Sequence, residues 1–145
     1  MQNKDLLLMV DQSTIDALIQ STSEMLARSG DGDKHTVAAS VYASDGMIYS
    51  GVNVFHFTGG LCAEIVALAR LISDSGTKPL AIIAVADSGR GAVAPCGRCR
   101  QVLADYCPEM QVILDVDGVL EARPLTELLP FGYKRAERPA VSCGV

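Results

Sequence analysis

The sequence predicts one three-layer α/β/α sandwich with a mixed five-stranded sheet. Its 145 residues fall within the usual size of a single domain. Segments with helical periodicity alternate with short apolar strands, which is typical of a sheet between helices. The run from Leu80 to Ala86 is apolar throughout, as expected for a strand that is buried on both faces. We therefore predict a single domain over residues 1–145, with flexible ends at 1–10 and 136–145.

The first half of the chain contains a helix, a hairpin and a second helix. Apolar residues recur at helical spacing from Ile15 to Leu26, with Asp11 or Ser13 as the cap and Gly30 as the stop. Strands over 36–43 and 47–54 surround a Ser-Asp-Gly turn. A loop rich in aromatic residues and glycine, 55–60, then leads to a mostly apolar helix over 62–73.

The second half predicts two further helices and three strands. The buried strand 80–86 is followed by a loop over 87–95 and a helix over 96–106. Strands over 110–114 and 119–123 come next, and a short helix over 126–129 ends at Pro130. The order α-β-β-α-β-α-β-β is consistent with a mixed sheet between helices.

Composition favours a small-molecule partner. The net charge of -5 and the absence of Trp argue against a nucleic-acid partner. No apolar window is long enough to span a membrane, and the N-terminus lacks a secretory pattern. We therefore expect a cytoplasmic protein with reduced cysteines. The odd count of five cysteines also argues against a disulfide framework, so the thiols suggest a metal site.

Three cysteines lie at predicted helix starts. Cys96 and Cys99 are spaced i, i+3, so both sulfurs can point to one metal ion. Cys62 begins the preceding helix, and both helices follow a strand and a loop, so their N-termini can meet at one edge of the sheet. Helix N-termini favour thiolates. We expect these cysteines to bind one Zn²⁺ ion and to leave one coordination position open.

Two charged residues accompany these cysteines. Glu64 lies two positions past Cys62, about 200° around an ideal helix, which makes it a poor ligand but a plausible neighbour of the open position. There it can accept a proton from water that zinc activates. Arg98, between Cys96 and Cys99, is the best candidate to compensate the negative charge of three thiolates.

Other interpretations of the cysteines remain open. His35 or His56 could complete a closed Cys₃His site with a purely structural role, as in a zinc-dependent interaction module. A redox C-x-x-C pair is a third interpretation, but it leaves Cys62 unexplained. Cys107 and Cys143 have no spacing partner, and we interpret them as a helix-end thiol and a tail thiol.

The motifs resemble those of the zinc-dependent cytidine deaminase family. Cys-Ala-Glu at 62–64 precedes Pro-Cys-Gly-Arg-Cys-Arg-Gln at 95–101, and 30 residues separate Glu64 from Pro95. The resemblance extends from about Thr36 to Tyr133. Within the family it is strongest to the branch that acts on blasticidin S, because of the string from Gly51 to Gly60, Arg90-Gly91, the second cysteine motif and the Leu-Pro-x-Gly-Tyr sequence at 129–133.

The resemblance implies zinc-dependent hydrolytic removal of the C4 amino group of a free cytosine nucleoside. Zinc would be bound by the three cysteines, one ion per subunit, and Glu64 would transfer protons between water, the ring nitrogen and the leaving ammonia. The family also implies five substrate contacts. These are the backbone N–H of Ala63 on the base carbonyl, Asn53 on the sugar, His35 stacked on the base, Phe55 where other members have a sugar-binding glutamate, and Tyr133 in the tail.

Phe55 in place of that glutamate predicts weaker ribose recognition. We therefore expect blasticidin S or a similar analogue as substrate, with pyrimidine salvage of cytidine or deoxycytidine as the alternative. Arg135 departs from the aromatic residue that this branch has in the tail, and Ile65 replaces an arginine of other members. Short members of the family are homotetramers, and Phe131 and Tyr133 could reach a neighbouring subunit. The acidic charge argues against a nucleic-acid editing deaminase.

Overall fold

The computed structural model describes residues 10–135. The flexible ends predicted at 1–10 and 136–145 lie outside these residues, except for Val10. Its helices are α1 Gln12–Ser29, α2 Ala63–Asp74, α3 Gly97–Tyr106 and α4 Leu125–Leu128. Its strands are β1 Val37–Ala43, β2 Ile48–Val52, β3 Pro79–Ala86, β4 Gly91–Val93, β5 Gln111–Val116 and β6 Val119–Pro124. The predicted elements are all present, with ends that shift by at most two residues.

The sheet is mixed and has the strand order β2-β1-β3-β5-β6, with β4 paired to β3 outside this path. Only the β3–β5 pair is parallel, and the other pairs are antiparallel. The prediction of five strands is therefore corrected to six. The additional strand β4 lies in the predicted loop 87–95, and its three residues are too few to show the alternation by which strands are recognised in a sequence.

Helices cover both faces of the sheet, which confirms the three-layer prediction. On one face, Leu18 of α1 belongs to the same buried cluster as Ile83 of β3. On the other face, Leu71 of α2 and Leu103 of α3 pack with Ile82. Successive residues of β3 thus enter opposite cores, which is why this strand is apolar at every position.

Several local predictions can now be compared with the structure. Asp11 is the N-cap of α1, and its carboxylate accepts a hydrogen bond from the Thr14 N–H at 2.8 Å. We predicted that Val10 belongs to a flexible end, but it is buried in the core between α1 and the sheet. Cys107 forms the C-cap of α3 and is disulfide-bonded, contrary to the expectation of reduced cysteines. Among residues 10–135, no helix has the length and hydropathy needed to cross a membrane.

The β1–β2 hairpin brings α2 close to the sheet. Gly51 of β2 faces α2, and a Cβ atom at this position would lie 2.6 Å from Cγ1 of Val66. The helix therefore approaches closely because residue 51 has no side chain. This packing places the start of α2, with Cys62, beside the end of β2 from which the loop 54–61 departs.

Candidate metal centre and active-site cleft

The structure brings together the three cysteines that the sequence selected. The sulfur atoms of Cys62, Cys96 and Cys99 all lie within 4.8 Å of one another, and those of Cys62 and Cys96 are 3.7 Å apart. Cys62 is the N-cap of α2 and Cys96 is the N-cap of α3, while Cys99 lies in the first turn of α3. The two helix starts therefore converge as predicted, because both follow strands of the same sheet.

The electrostatics of this cluster fit a bound cation. Burial raises the pKa of Cys62, and burial followed by the negative charge of Glu64 raises the pKa of Cys99. Burial opposes ionisation of Cys96 too, but hydrogen bonds from the Cys99 backbone N–H and from the other two thiols outweigh it and lower its pKa. Three neighbouring thiols can all ionise only when a positive charge lies among them. Three thiolates are a ligand set that suits zinc.

The cluster is not closed by a histidine within the described part of the chain. His35 Nδ1 is 2.7 Å from the carbonyl oxygen of Asn53, and His56 Nδ1 is engaged by Thr58. Among residues 10–135, only the three cysteines form a metal-binding group. This arrangement argues against the Cys₃His alternative, and a zinc ion held by the three cysteines would have a coordination position left for a water molecule or substrate.

Glu64 is a buried carboxylate beside the sulfur cluster. Its side chain is 6% exposed and lines the same cavity as Cys62 and Cys96. Burial raises its pKa, while hydrogen bonds from its own backbone N–H and from Cys99 partly oppose this effect. The 200° angle predicted between Cys62 and Glu64 on an ideal helix does not apply, because Cys62 is a cap residue with extended backbone rather than a helical residue. Glu64 can therefore lie beside the sulfur cluster.

The cavity beside the cluster has a volume of about 400 Å³, within the range of small-molecule sites. Of the five predicted substrate contacts, Asn53, Phe55 and Ala63 line it, but His35 and Tyr133 do not. Ala63 is the first residue of α2, so its N–H has no acceptor within the helix and is available to a ligand.

Asn53 holds two segments of the chain together at the edge of the cavity. Its side-chain oxygen accepts hydrogen bonds from the backbone N–H groups of Thr36 and Val37 at 2.8 and 3.0 Å. Its amide nitrogen donates to the Lys34 carbonyl at 3.1 Å. Both oxygen lone pairs and one N–H are thus used, which leaves a single N–H for the predicted contact with a sugar.

Arg98 and Tyr133 make contacts that their sequence positions did not reveal. The Arg98 guanidinium donates to the Gly60 carbonyl at 3.2 Å, so it connects the first turn of α3 to the loop before Cys62. Its predicted compensation of thiolate charge stays a prediction. The Tyr133 ring is exposed, and its backbone carbonyl accepts a hydrogen bond from Gln101.

Sequence reasoning missed how the rim of the cavity is built. Val54 and Leu61 pair as an isolated bridge and close the base of a loop, 55–60. A Cβ atom on Gly60 would lie 1.8 Å from the Val54 carbonyl oxygen, so this close turn requires glycine. The Gly59-Gly60 pair before Cys62 was the available signal. The cavity also includes Val93 of the unpredicted strand β4.

Comparison with known proteins agrees with this geometry. The family model for the cytidine and deoxycytidylate deaminase zinc-binding region matches residues 12–114. A blasticidin-S deaminase of Bacillus cereus is 29% identical over 81% of this chain and 91% of its own length. A cytidine deaminase of Halalkalibacterium halodurans is 39% identical over 67% of this chain and 76% of its own length.

Solved structures show the same relationship. The crystal structure of cytidine deaminase from Mycobacterium tuberculosis superposes with a TM-score of 0.70 at 29% identity, covering 83% of this chain and 97% of that one. The fold and the three-cysteine site thus define a zinc-dependent deaminase. The chain belongs to the cytidine and deoxycytidylate deaminase family.

Proposed function

We propose that this enzyme hydrolyses the C4 amino group of a free cytosine nucleoside, with blasticidin S or a similar analogue as its substrate. The observation that carries the proposal is the buried carboxylate of Glu64 in the same cavity as the three-cysteine cluster. A cavity of about 400 Å³ suits a nucleoside, and the acidic chain does not favour a polynucleotide.

We assign each step of the proposed reaction to residues that line the cavity or form the cysteine cluster. Cys62, Cys96 and Cys99 would hold a zinc ion, which would supply Lewis acidity that makes water a nucleophile near neutral pH. Glu64 accepts a proton from the attacking water and delivers it to the pyrimidine ring nitrogen. A second proton passes through Glu64 to the departing amino group, so that water and the amine are converted to a C4 carbonyl and ammonia. The Ala63 N–H holds the base carbonyl.

Phe55 supports the choice of blasticidin S over cytidine. Its ring is 64% exposed and lines the cavity where a carboxylate would be needed to bind ribose hydroxyls. Cytidine is the second candidate, because the relatives with 35% and 39% identity are cytidine deaminases. The blasticidin-S deaminase has a lower identity of 29%, but its match covers more of the chain.

Ultraviolet assays on both substrates test the proposal. We expect turnover of blasticidin S with a higher kcat/KM than that of cytidine, from protein whose zinc content is measured on the same sample. Phe55→Glu should shift the ratio toward cytidine, and Phe55→Leu is the matched apolar control. Zinc-loaded protein that deaminates neither compound would refute the proposal, and a preference for cytidine would establish the alternative.

We also propose a homotetramer in which the segment 131–135 contacts a neighbouring subunit. The Phe131 side chain is fully exposed, and its backbone has φ of 55°, a conformation that costs energy in a residue other than glycine. An exposed aromatic side chain held in this way suits a contact between subunits. Light scattering should give four times the monomer mass, and Phe131→Ser should lower it; a wild-type monomer would refute the proposal.

A further inference from the structure

His56 lies on the outer rim of the cleft and has no role in the reaction described above. Val54 and Leu61 pair across the base of its loop, so His56 and Cys62 lie on opposite sides of this pair. His56 is exposed and lines the cavity together with Phe55. It therefore belongs to the part of the cleft that extends away from the sulfur cluster.

The hydrogen bonds of the loop determine which ring nitrogen of His56 carries the proton. The Thr58 backbone N–H donates to Nδ1 at 3.1 Å, and the Thr58 hydroxyl is within hydrogen-bond distance of the same atom. A backbone N–H can only donate, so Nδ1 is the acceptor. The neutral ring must then carry its proton on Nε2, which becomes a hydrogen-bond donor.

This donor is available to a ligand. Within residues 10–135, both hydrogen bonds of the His56 ring involve Nδ1, and no group accepts one from Nε2. Thr58, which engages Nδ1, does not line the cavity, whereas His56 does. The ring also contacts Phe57, with centroids 4.4 Å apart and planes tilted by 32°, which restricts its orientation. The result is a pre-oriented N–H at the rim, where the adjacent Phe55 offers no polar atom.

We propose that His56 is a substrate-binding residue whose Nε2–H donates to an oxygen atom on the sugar portion of the nucleoside. This inference depends on the proposed function, because cytosine C4 must reach Glu64 and the cysteine cluster, which leaves the sugar toward the rim. His56 then takes part of the recognition that Phe55 cannot provide. The contact is remote from the reacting carbon and forms equally in the ground state and the transition state, so it acts on KM rather than on kcat.

Steady-state kinetics on zinc-loaded protein test this role. With whichever of blasticidin S and cytidine the wild type deaminates, His56→Phe should raise KM roughly 3- to 10-fold, the effect of one neutral hydrogen bond, and leave kcat within about twofold. His56→Asn separates binding from loop structure. An Asn oxygen can still accept the N–H two residues later, but the Nε2 donor is lost. We expect the same rise in KM from this variant.

Met47→Leu is the control, since Met47 is exposed in the turn between β1 and β2 and does not line the cavity, and its KM should stay within about twofold of wild type. An unchanged KM in His56→Phe would overturn the inference. A wild-type KM in His56→Asn would also overturn it, because the His56 ring would then only stabilise the turn through its hydrogen bond with Thr58. Both results require an active wild type, so they are distinct from failure of the proposed function, in which the wild type deaminates neither compound.

A set of deoxynucleosides identifies the accepting oxygen. Inhibition constants of cytidine and of its 2′-, 3′- and 5′-deoxy derivatives are measured against the wild type and His56→Phe. The derivative that lacks the partner oxygen should lose affinity in the wild type but not in the variant. When cytidine is the substrate, one result would overturn the contact with a sugar hydroxyl. In that result, removal of each of the three hydroxyls weakens binding by the same factor in the wild type and in His56→Phe.

Discussion

The two sides of the cleft are built in different ways. The inner side consists of the cysteine cluster and Glu64, which are held at two helix starts against the sheet. Cys99 and Glu64 are buried there, Cys62 is half-buried and Cys96 is exposed. The outer side is the loop 55–60, where Phe55 and Phe57 are 64% and 90% exposed. Rigid elements thus position the reacting groups, while an exposed loop bears the residues that we assign to substrate selection.

This comparison predicts the largest losses on the inner side. Cys99→Ala removes a fully buried sulfur donor, so zinc content should fall from about one ion per chain to nearly none, and activity should disappear. The melting temperature should also fall. Metal analysis and calorimetry check this, with zinc removal and readdition in the wild type as the reference. Retention of zinc by the variant would refute the proposed ligand set.

Glu64→Gln should abolish proton transfer without removing the metal. The amide keeps the shape of the side chain but cannot accept the proton, so we expect kcat to fall about 10²- to 10⁴-fold with zinc content unchanged. The variant should be at least as stable as the wild type, because the pKa of the buried carboxyl is raised by burial. Near-normal kcat in this variant would exclude Glu64 from the chemistry.

Arg98→Ala tests the connection between the two sides. Loss of the hydrogen bond to the Gly60 carbonyl should loosen the loop that leads to Cys62, and transfer of zinc to a coloured chelator should accelerate roughly 2- to 10-fold. Arg98→Lys should recover part of the difference. An unchanged transfer rate would show that the hydrogen bond does not support the metal site.

The smallest effect is expected at the opposite end of the β1–β2 hairpin. Asp45 accepts hydrogen bonds from Tyr49 and Ser75, and the Tyr49 bond contributes most to lowering its pKa from 3.8 to about 2. A pKa that is lower in the folded state stabilises the protein above pH 4, and this contribution is lost as the pH falls from about 4 to 2. Asp45→Asn should cause a small loss of stability at neutral pH that vanishes near pH 2, with kcat unchanged.

Sequence motifs predicted the inner side almost completely. The spacing of Cys96 and Cys99, and the position of Cys62 and Glu64 at another helix start, were sufficient because helix periodicity and capping are local properties. The outer side was predicted less well. His35 was expected to stack on the base, yet the structure engages its ring with Asn53 and leaves it out of the cavity lining. Its stacking role stays a prediction.

The sequence by itself determined the layer architecture, the order of the elements and the residues of the metal centre. Apolar periodicity and short motifs encode these features within a few residues of chain. Only the tertiary structure decided that β4 joins the sheet, that Arg98 reaches Gly60, and that the Thr58 N–H donates to Nδ1 of His56, a residue that lines the cavity. Such contacts depend on how loops and strands that are distant in sequence meet after folding, and no local pattern specifies them.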